Sequence, residues 1–152
     1  MTTPATDRTT HRLPVQNAAL LYGVVFLLVG VLGFVPGITA GYDSLQFAGH
    51  TSEAMLLGVF QVSILHNLVH LLYGIAGLAL ARSAGGARAF LRWGGAVYLL
   101  LWLYGLLIDK ESTANFVPVN SADDWLHLLL GLTMVALSFL RGRDRAAGTT
   151  RL

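Results

Sequence analysis

The sequence predicts an all-α fold, a bundle of four transmembrane helices built as two parallel-repeat hairpins with both termini in the cytoplasm. Three observations carry that expectation: a composition too apolar for a water-soluble surface, four apolar blocks of membrane-crossing length, and a one-sided distribution of basic residues. Of 152 residues, 55% are hydrophobic and 12% charged, against about 25% charged in soluble domains. The mean hydropathy of +0.63 comes from uninterrupted apolar runs rather than from alternation, which makes a closed β-barrel a poor reading. The chain has no cysteine, so disulfides, thiolate metal sites and cysteine nucleophiles are excluded as well.

A bilayer core of about 30 Å takes roughly 20 apolar residues in a helix. Four stretches qualify: residues 15–35, 54–81, 89–108 and 121–140. Pro14 suits the first turn of span one, and Pro36 with Gly37 ends it. Ser83, Gly85 and Gly86 form the tight link between spans two and three. Ser121 is the expected N-cap of span four. The apolar run of span one is longer than the roughly 7–15 residues of a secretory signal core, so it is read as a span. The segment 37–53, with Tyr42, Leu45 and Phe47 among polar residues, is expected to lie on the membrane surface.

Charge assigns the sides. Arg8, Arg12, Arg82, Arg88, Arg92, Arg141, Arg143, Arg145 and Arg151 fall on one side, leaving only Lys110 of the ten Lys and Arg residues on the other. The positive-inside rule makes the arginine side cytoplasmic in a cell membrane. Asp43, Glu53, Asp109, Glu111, Asp123 and Asp124 lie in or beside the two outer connections. The domains are a cytoplasmic tail (1–13), the transmembrane domain (14–141) and a second cytoplasmic tail (142–152). The pI near 9.3 reflects topology signals and headgroup contacts, so nucleic acid is not an expected partner.

Spans two and four share a phrase. His70-Leu71-Leu72-Tyr73-Gly74 matches His127-Leu128-Leu129-Leu130-Gly131, and the alignment pairs His66 with Asp123 and Asn67 with Asp124. Both helices cross in the same direction, so spans one plus two and three plus four read as parallel halves about an axis along the membrane normal. The equivalent histidines are then expected to face one another. Counted from the arginines that end the helices, His66, His70 and His127 occupy one layer about 18–24 Å above the inner boundary, with Asp109, Asp123 and Asp124 just above.

Ionisable groups inside a membrane are costly and usually functional. His66 and His70 share a helix face at i, i+4 spacing, as do Asp123 and His127. Together they form a donor set for Zn²⁺ or a redox transition metal. Asp124, Asp109 and Asn67 stand behind as orienting groups, and Asp124 is the candidate acid/base. The bland alternatives are hydrogen bonding of the histidines across a helix interface, and aspartates that favour the N-terminus of span four. Trp93, Trp102, Trp125, Tyr98 and Tyr104 read as interfacial anchors and packing groups, with the span-three aromatics as an alternative pocket wall. His50 and His11 read as solvated bystanders.

The phrases from His66 to Gly74 and from Asn120 to His127 resemble those of a bacterial, largely actinobacterial family of small four-span membrane proteins, catalogued as a domain of unknown function. The resemblance spans roughly residues 14–140. It implies the four-helix membrane fold, directs attention to His66, Asn67, His70, Asp124 and His127, and implies no activity.

Three functions compete, with proton or ion translocation a fourth that the lack of a polar chain through the inner half of the spans disfavours. The first is a metal site with His66, His70, His127 and Asp123 as ligands, able to activate water for hydrolysis or to take a redox role. The second is b-type haem held by His70 and His127 for electron transfer. The third is non-enzymatic, with the polar layer either holding the bundle together as a scaffold or binding a lipid or small molecule beneath the outer connections. The expected partners are the bilayer, such a ligand, and a further copy of the chain.

Overall fold

The computed structural model describes residues 12–140. The tail residues Arg8, His11, Arg141, Arg143, Arg145 and Arg151 lie outside the described residues. Four α-helices make up most of the chain: α1 (Pro14–Leu32), α2 (Ile64–Leu80), α3 (Ala84–Leu107) and α4 (Ser121–Leu137). Of these, α1 and α3 are long and apolar enough to cross a membrane; α2 is apolar but shorter. Three two-residue strands, β1 (Thr39–Ala40), β2 (Met55–Leu56) and β3 (Phe60–Gln61), pair antiparallel in that order between α1 and α2.

The helix limits differ from the expected spans in physically clear ways. α2 starts at Ile64 rather than 54, because residues 55–61 form a hairpin and the Ser63 side chain then caps the helix by accepting the His66 N–H. The segment expected on a membrane surface is thus partly committed to a sheet that covers the helix ends. Gly85 and Gly86 belong to the first turn of α3, whose N-cap is Ser83. Asn120, not Ser121, caps α4, through reciprocal bonds with Asp123.

Packing is pairwise: α1 lies chiefly against α2 and α3 against α4, while α1 and α4 hardly touch. Each pair closes on glycine. A Cβ at Gly74 would come within 2.8 Å of the Gly23 carbonyl oxygen, and one at Gly131 within 3.0 Å of that of Gly95. Ten residues beyond each of these partners, Gly33 receives the Asn67 side chain and Gly105 receives that of Asp124. Small residues at these points let backbones approach closely. The correspondence is regular. Residues of α1 recur in α3 at an offset of 72 (Gly23 to Gly95, Gly33 to Gly105), and those of α2 recur in α4 at 57 (Asn67 to Asp124, Gly74 to Gly131).

The two long connections meet at one end. Gly49 N–H donates to the Phe116 carbonyl at 2.7 Å, the Asn120 amide donates to the Val59 carbonyl at 2.8 Å, and Gln61 N–H donates to Asp123 at 3.1 Å. At the other end, the Gln16 amide donates to the Ala81 carbonyl, tying the start of α1 to the end of α2. Large apolar side chains cover the outside of all four helices, among them Leu21, Leu28, Leu72, Ile75, Leu100, Leu107, Trp125 and Leu129. His66, Asn67, His70, Asp123, Asp124 and His127 are buried. The helices thus bury a polar layer beside an apolar core that includes Phe26, Phe90, Leu91 and Met134, and expose apolar side chains on the outside.

Gly74→Val and Gly131→Val are each expected to lower stability by about 1–3 kcal/mol through forced separation of the backbones. Gly85→Ala, at a site with open space around it, is expected to be neutral or stabilising by up to about 1 kcal/mol. Denaturant titration followed by circular dichroism measures all three, and valine variants as stable as the parent would refute the close-contact account.

Candidate functional site

Above the glycine crossings, α2 and α4 each bring a histidine to the middle of the bundle. His70 lies one turn before Gly74, and His127 one turn before Gly131. Tyr98 of α3 stands between them. Its hydroxyl is 3.3 Å from His70 Nε2, and its ring meets the His127 ring edge-on at 5.2 Å between centroids. Phe26, the α1 counterpart of Tyr98, stacks on that ring at 5.3 Å and 13°, and meets His70 edge-on at 5.9 Å. The aromatic–imidazole contact of one helix pair is thus repeated in the other.

Backbone carbonyls set the state of two of the imidazoles. His66 Nδ1 lies 3.1 Å from the Gln61 carbonyl, and His70 Nδ1 lies 3.0 Å from the His66 carbonyl. A carbonyl only accepts, so each Nδ1 carries the hydrogen and each Nε2 presents a lone pair. Tyr98 O–H accordingly donates to His70 Nε2. The two rings lie 4.3 Å apart between centroids. His127 Nδ1 is buried without a hydrogen-bond partner among the described residues.

Asp123 serves two structures at once. Its Oδ2 accepts from Asn120 N–H at 2.9 Å, completing the α4 cap, and from Gln61 N–H at 3.1 Å, anchoring β3. The helix-terminus role therefore holds for Asp123, yet the same side chain also reaches the cavity described below. Asp124 points the other way. Its Oδ2 pairs with Lys110 Nζ at 2.7 Å while its Oδ1 sits buried against Gly105. Lys110 also donates to the Gly105 carbonyl at 2.8 Å. Asp109 is engaged in its own turn, its Oδ1 accepting from Glu111 N–H and its backbone carbonyl from the Ser112 hydroxyl. Asn67 is fully buried against Gly33, with both amide atoms unpartnered among the described residues.

His66, His70, Asp123, His127 and Tyr98 form the polar end of a cavity of about 210 Å³. The remaining wall is apolar: Val25, Phe26 and Val29 of α1, Leu126 and Leu130 of α4, and Leu56, Leu57, Phe60 and Val62 from the sheet region. The cavity lies where α1 and α4 hardly touch. Leu57 stands at its rim, 63% exposed and with φ of 55°, a left-handed conformation rare for leucine. The space suits a ligand head group of about one ring, since a dry cavity of about 150 Å³ admits benzene in another protein.

Four of the five residues singled out from the sequence as ligands or acid/base, His66, His70, Asp123 and His127, come together here; Asp124 does not join them. Among the described residues, no group of three or more His, Asp and Glu side chains is disposed to hold a metal ion. Tyr98 was legible only as an aromatic of span three, and the sheet residues at the cavity wall carried no signal beyond hydropathy.

Removing the cation of the Lys110–Asp124 pair leaves a buried carboxylate with no countercharge. Because Lys110 is 27% exposed, Lys110→Met is expected to destabilise by about 2 kcal/mol, less than the ~3–5 kcal/mol of a fully buried pair. Lys110→Met combined with Asp124→Asn is expected to recover most of that loss. Thermal unfolding of both variants decides it, and an unaffected single variant would show the pair to be stabilising nothing.

No curated protein and no solved structure matches the chain. One family model does, over residues 16–140, a stretch that includes all of α2, α3 and α4, α1 but for its first two residues, and every residue of the cavity. The chain belongs to the family described as a domain of unknown function, DUF4383.

Proposed function

We propose that this chain is a four-span membrane protein, with both termini cytoplasmic, that binds a small lipophilic molecule through its hydroxyl group. Support for four spans comes from the apolar exterior of all four helices and from helices of 17–24 residues, within the range of about 17–25 that crosses a bilayer. The orientation rests on charge, with Arg82 and Arg92 exposed at one end of the bundle and Asp43, Glu53, Asp109 and Glu111 at the other. The two helix pairs then form parallel halves about an axis along the membrane normal.

The observation that carries the ligand reading is an apolar cavity with a polar end, placed where two helices part. Its exposed rim residues Val25 and Leu57 would meet lipid, so entry is lateral, from the bilayer. Inside, the bare Nε2 of His66 and the Asp123 carboxylate accept hydrogen bonds, while Tyr98 engages His70. A ligand that donates through a hydroxyl satisfies them; one that only accepts does not. A phenol or another single-ring alcohol has the required size and chemistry.

A metal ion is the second reading, favoured by one observation: His66 and His70 each give Nδ1–H to a backbone carbonyl, the arrangement that readies Nε2 for a metal. Against it stands the lack of a cation-holding group among the described residues. Haem ligated by His70 and His127 would require the Tyr98 ring to leave its place between them.

Thr113→Cys and Arg82→Cys test topology on a background without native cysteine. A membrane-impermeant maleimide is expected to label Thr113→Cys in intact cells and Arg82→Cys only after lysis; the opposite pattern would invert the orientation. For the ligand, 19F NMR with 4-fluorophenol is expected to show binding to protein in nanodiscs above that of empty discs. His66→Ala is expected to weaken it by about 2- to 10-fold, the range of one neutral hydrogen bond, and Leu130→Trp, which fills the cavity, to abolish it. No difference between loaded and empty discs would end the hydroxyl-ligand reading, and stoichiometric metal in the purified protein would favour the second.

A further inference from the structure

A second, smaller cavity of about 60 Å³ lies on the far side of the histidine layer, between α2 and α3. It shares His66, His70, Tyr98 and His127 with the first cavity. Its remaining helical walls are the repeat counterparts of the first. Where α1 supplies Val25, Phe26 and Val29, α3 supplies Val97, Tyr98 and Leu101; where α4 supplies Leu126 and Leu130, α2 supplies Val69 and Tyr73. Even the covering connections correspond, with Phe60 and Val62 replaced by Val117 and Val119 at the same offset of 57. No chance meeting of side chains produces such a match, because both offsets are those of the glycine crossings.

We infer that the bundle contains two copies of one ligand site, and that the copy between α2 and α3 is closed by the Tyr73 ring. This inference rests on the proposed hydroxyl-ligand reading for the chemistry of the occupant and on the repeat for its position. Tyr73 stands where the open copy has Leu130, and its hydroxyl is the atom closest to the space above Gly94. Gly94 in turn stands where the open half has Tyr22, at the offset of 72. One aromatic ring has thus changed helices. In the open half, Tyr22 sits on α1 and reaches Thr133 of α4 at 2.6 Å, below the cavity. In the closed half, the ring comes from α2 and separates the small cavity from a surface groove that Tyr73 and Gly94 also line. In the closed copy His66 takes the place of Asp123 and His70 that of His127, while Asp123 itself lies outside the lining, so the His66 Nε2 is the acceptor available to a hydroxyl.

The ligand class is the same, a single-ring molecule with a donating hydroxyl, and Tyr73 is the residue that holds the chain to one such ligand. The test uses crystals of the full chain grown from lipid and soaked with 4-bromophenol, with anomalous scattering locating bromine. Wild type is expected to show one bromine per chain, between α1 and α4. Tyr73→Leu is expected to show two, the second between α2 and α3 against His66 and His70, and Tyr73→Phe to stay at one. Should Tyr73→Leu fail to fold, the pair Tyr73→Leu with Gly94→Tyr restores the open half's arrangement and is expected to give the same second site. A folded variant of either kind with no bromine between α2 and α3 would overturn the inference. Bromine between α2 and α3 in the variant, with none between α1 and α4 in any chain, would remove the reading of the first cavity and overturn the two-copy inference with it, whereas bromine only between α1 and α4 would overturn the inference and leave that reading standing.

Discussion

Two places where backbone touches backbone determine the rest of this molecule. Gly23 against Gly74, and Gly95 against Gly131, bring each pair of helices closer than any side chain would allow. A helix held at that distance has little freedom to rotate, so the residue one turn earlier has a set direction. That residue is His70 in one pair and His127 in the other. The polar core therefore follows from packing: the imidazoles converge because the glycines beneath them fix how α2 and α4 face their partners, and Phe26 and Tyr98 fill the space between.

Hydropathy made the helical stretches legible, since the apolar blocks are long and the charges fall between them. It could not separate helix from hairpin over 54–63. Met55, Leu56, Phe60 and Val62 are as apolar as the helix that follows, and short apolar runs carry no decisive period. The glycine at 58, with φ of 70°, is the local sign of the turn. The histidines were legible because an ionisable group in an apolar helix has few reasons to be there. The repeat was legible in α2 and α4, where the phrase is shared, and hidden in α1 and α3, where only spaced glycines and one aromatic position persist. Tyr98 was obscured for that reason: a tyrosine in a membrane-like helix reads as an anchor until its counterpart Phe26 is seen stacked upon it.

Asp123 and Asp124 show the limits of arguing from adjacency. Neighbours on a helix point about 100° apart, so one carboxylate joins the α4 cap, β3 and the cavity, while the other turns to Lys110 and Gly105. The pairing of Asn67 with Asp124, drawn from sequence alone, has a concrete meaning in the fold. Both side chains press into the space above a glycine of the neighbouring helix, and both leave buried polar atoms without protein partners. They act as pegs that register each pair.

The ion pair of Lys110 has an effect beyond its own stability. Among the described residues it is the sole lysine or arginine at the end of the bundle that carries the long connections, and its charge is spent inward on Asp124. What faces outward there is Asp43, Glu53, Asp109 and Glu111, all exposed. On the proposed reading, carboxylates gathered at that end would disfavour anionic ligands approaching from there and leave an uncharged alcohol unaffected.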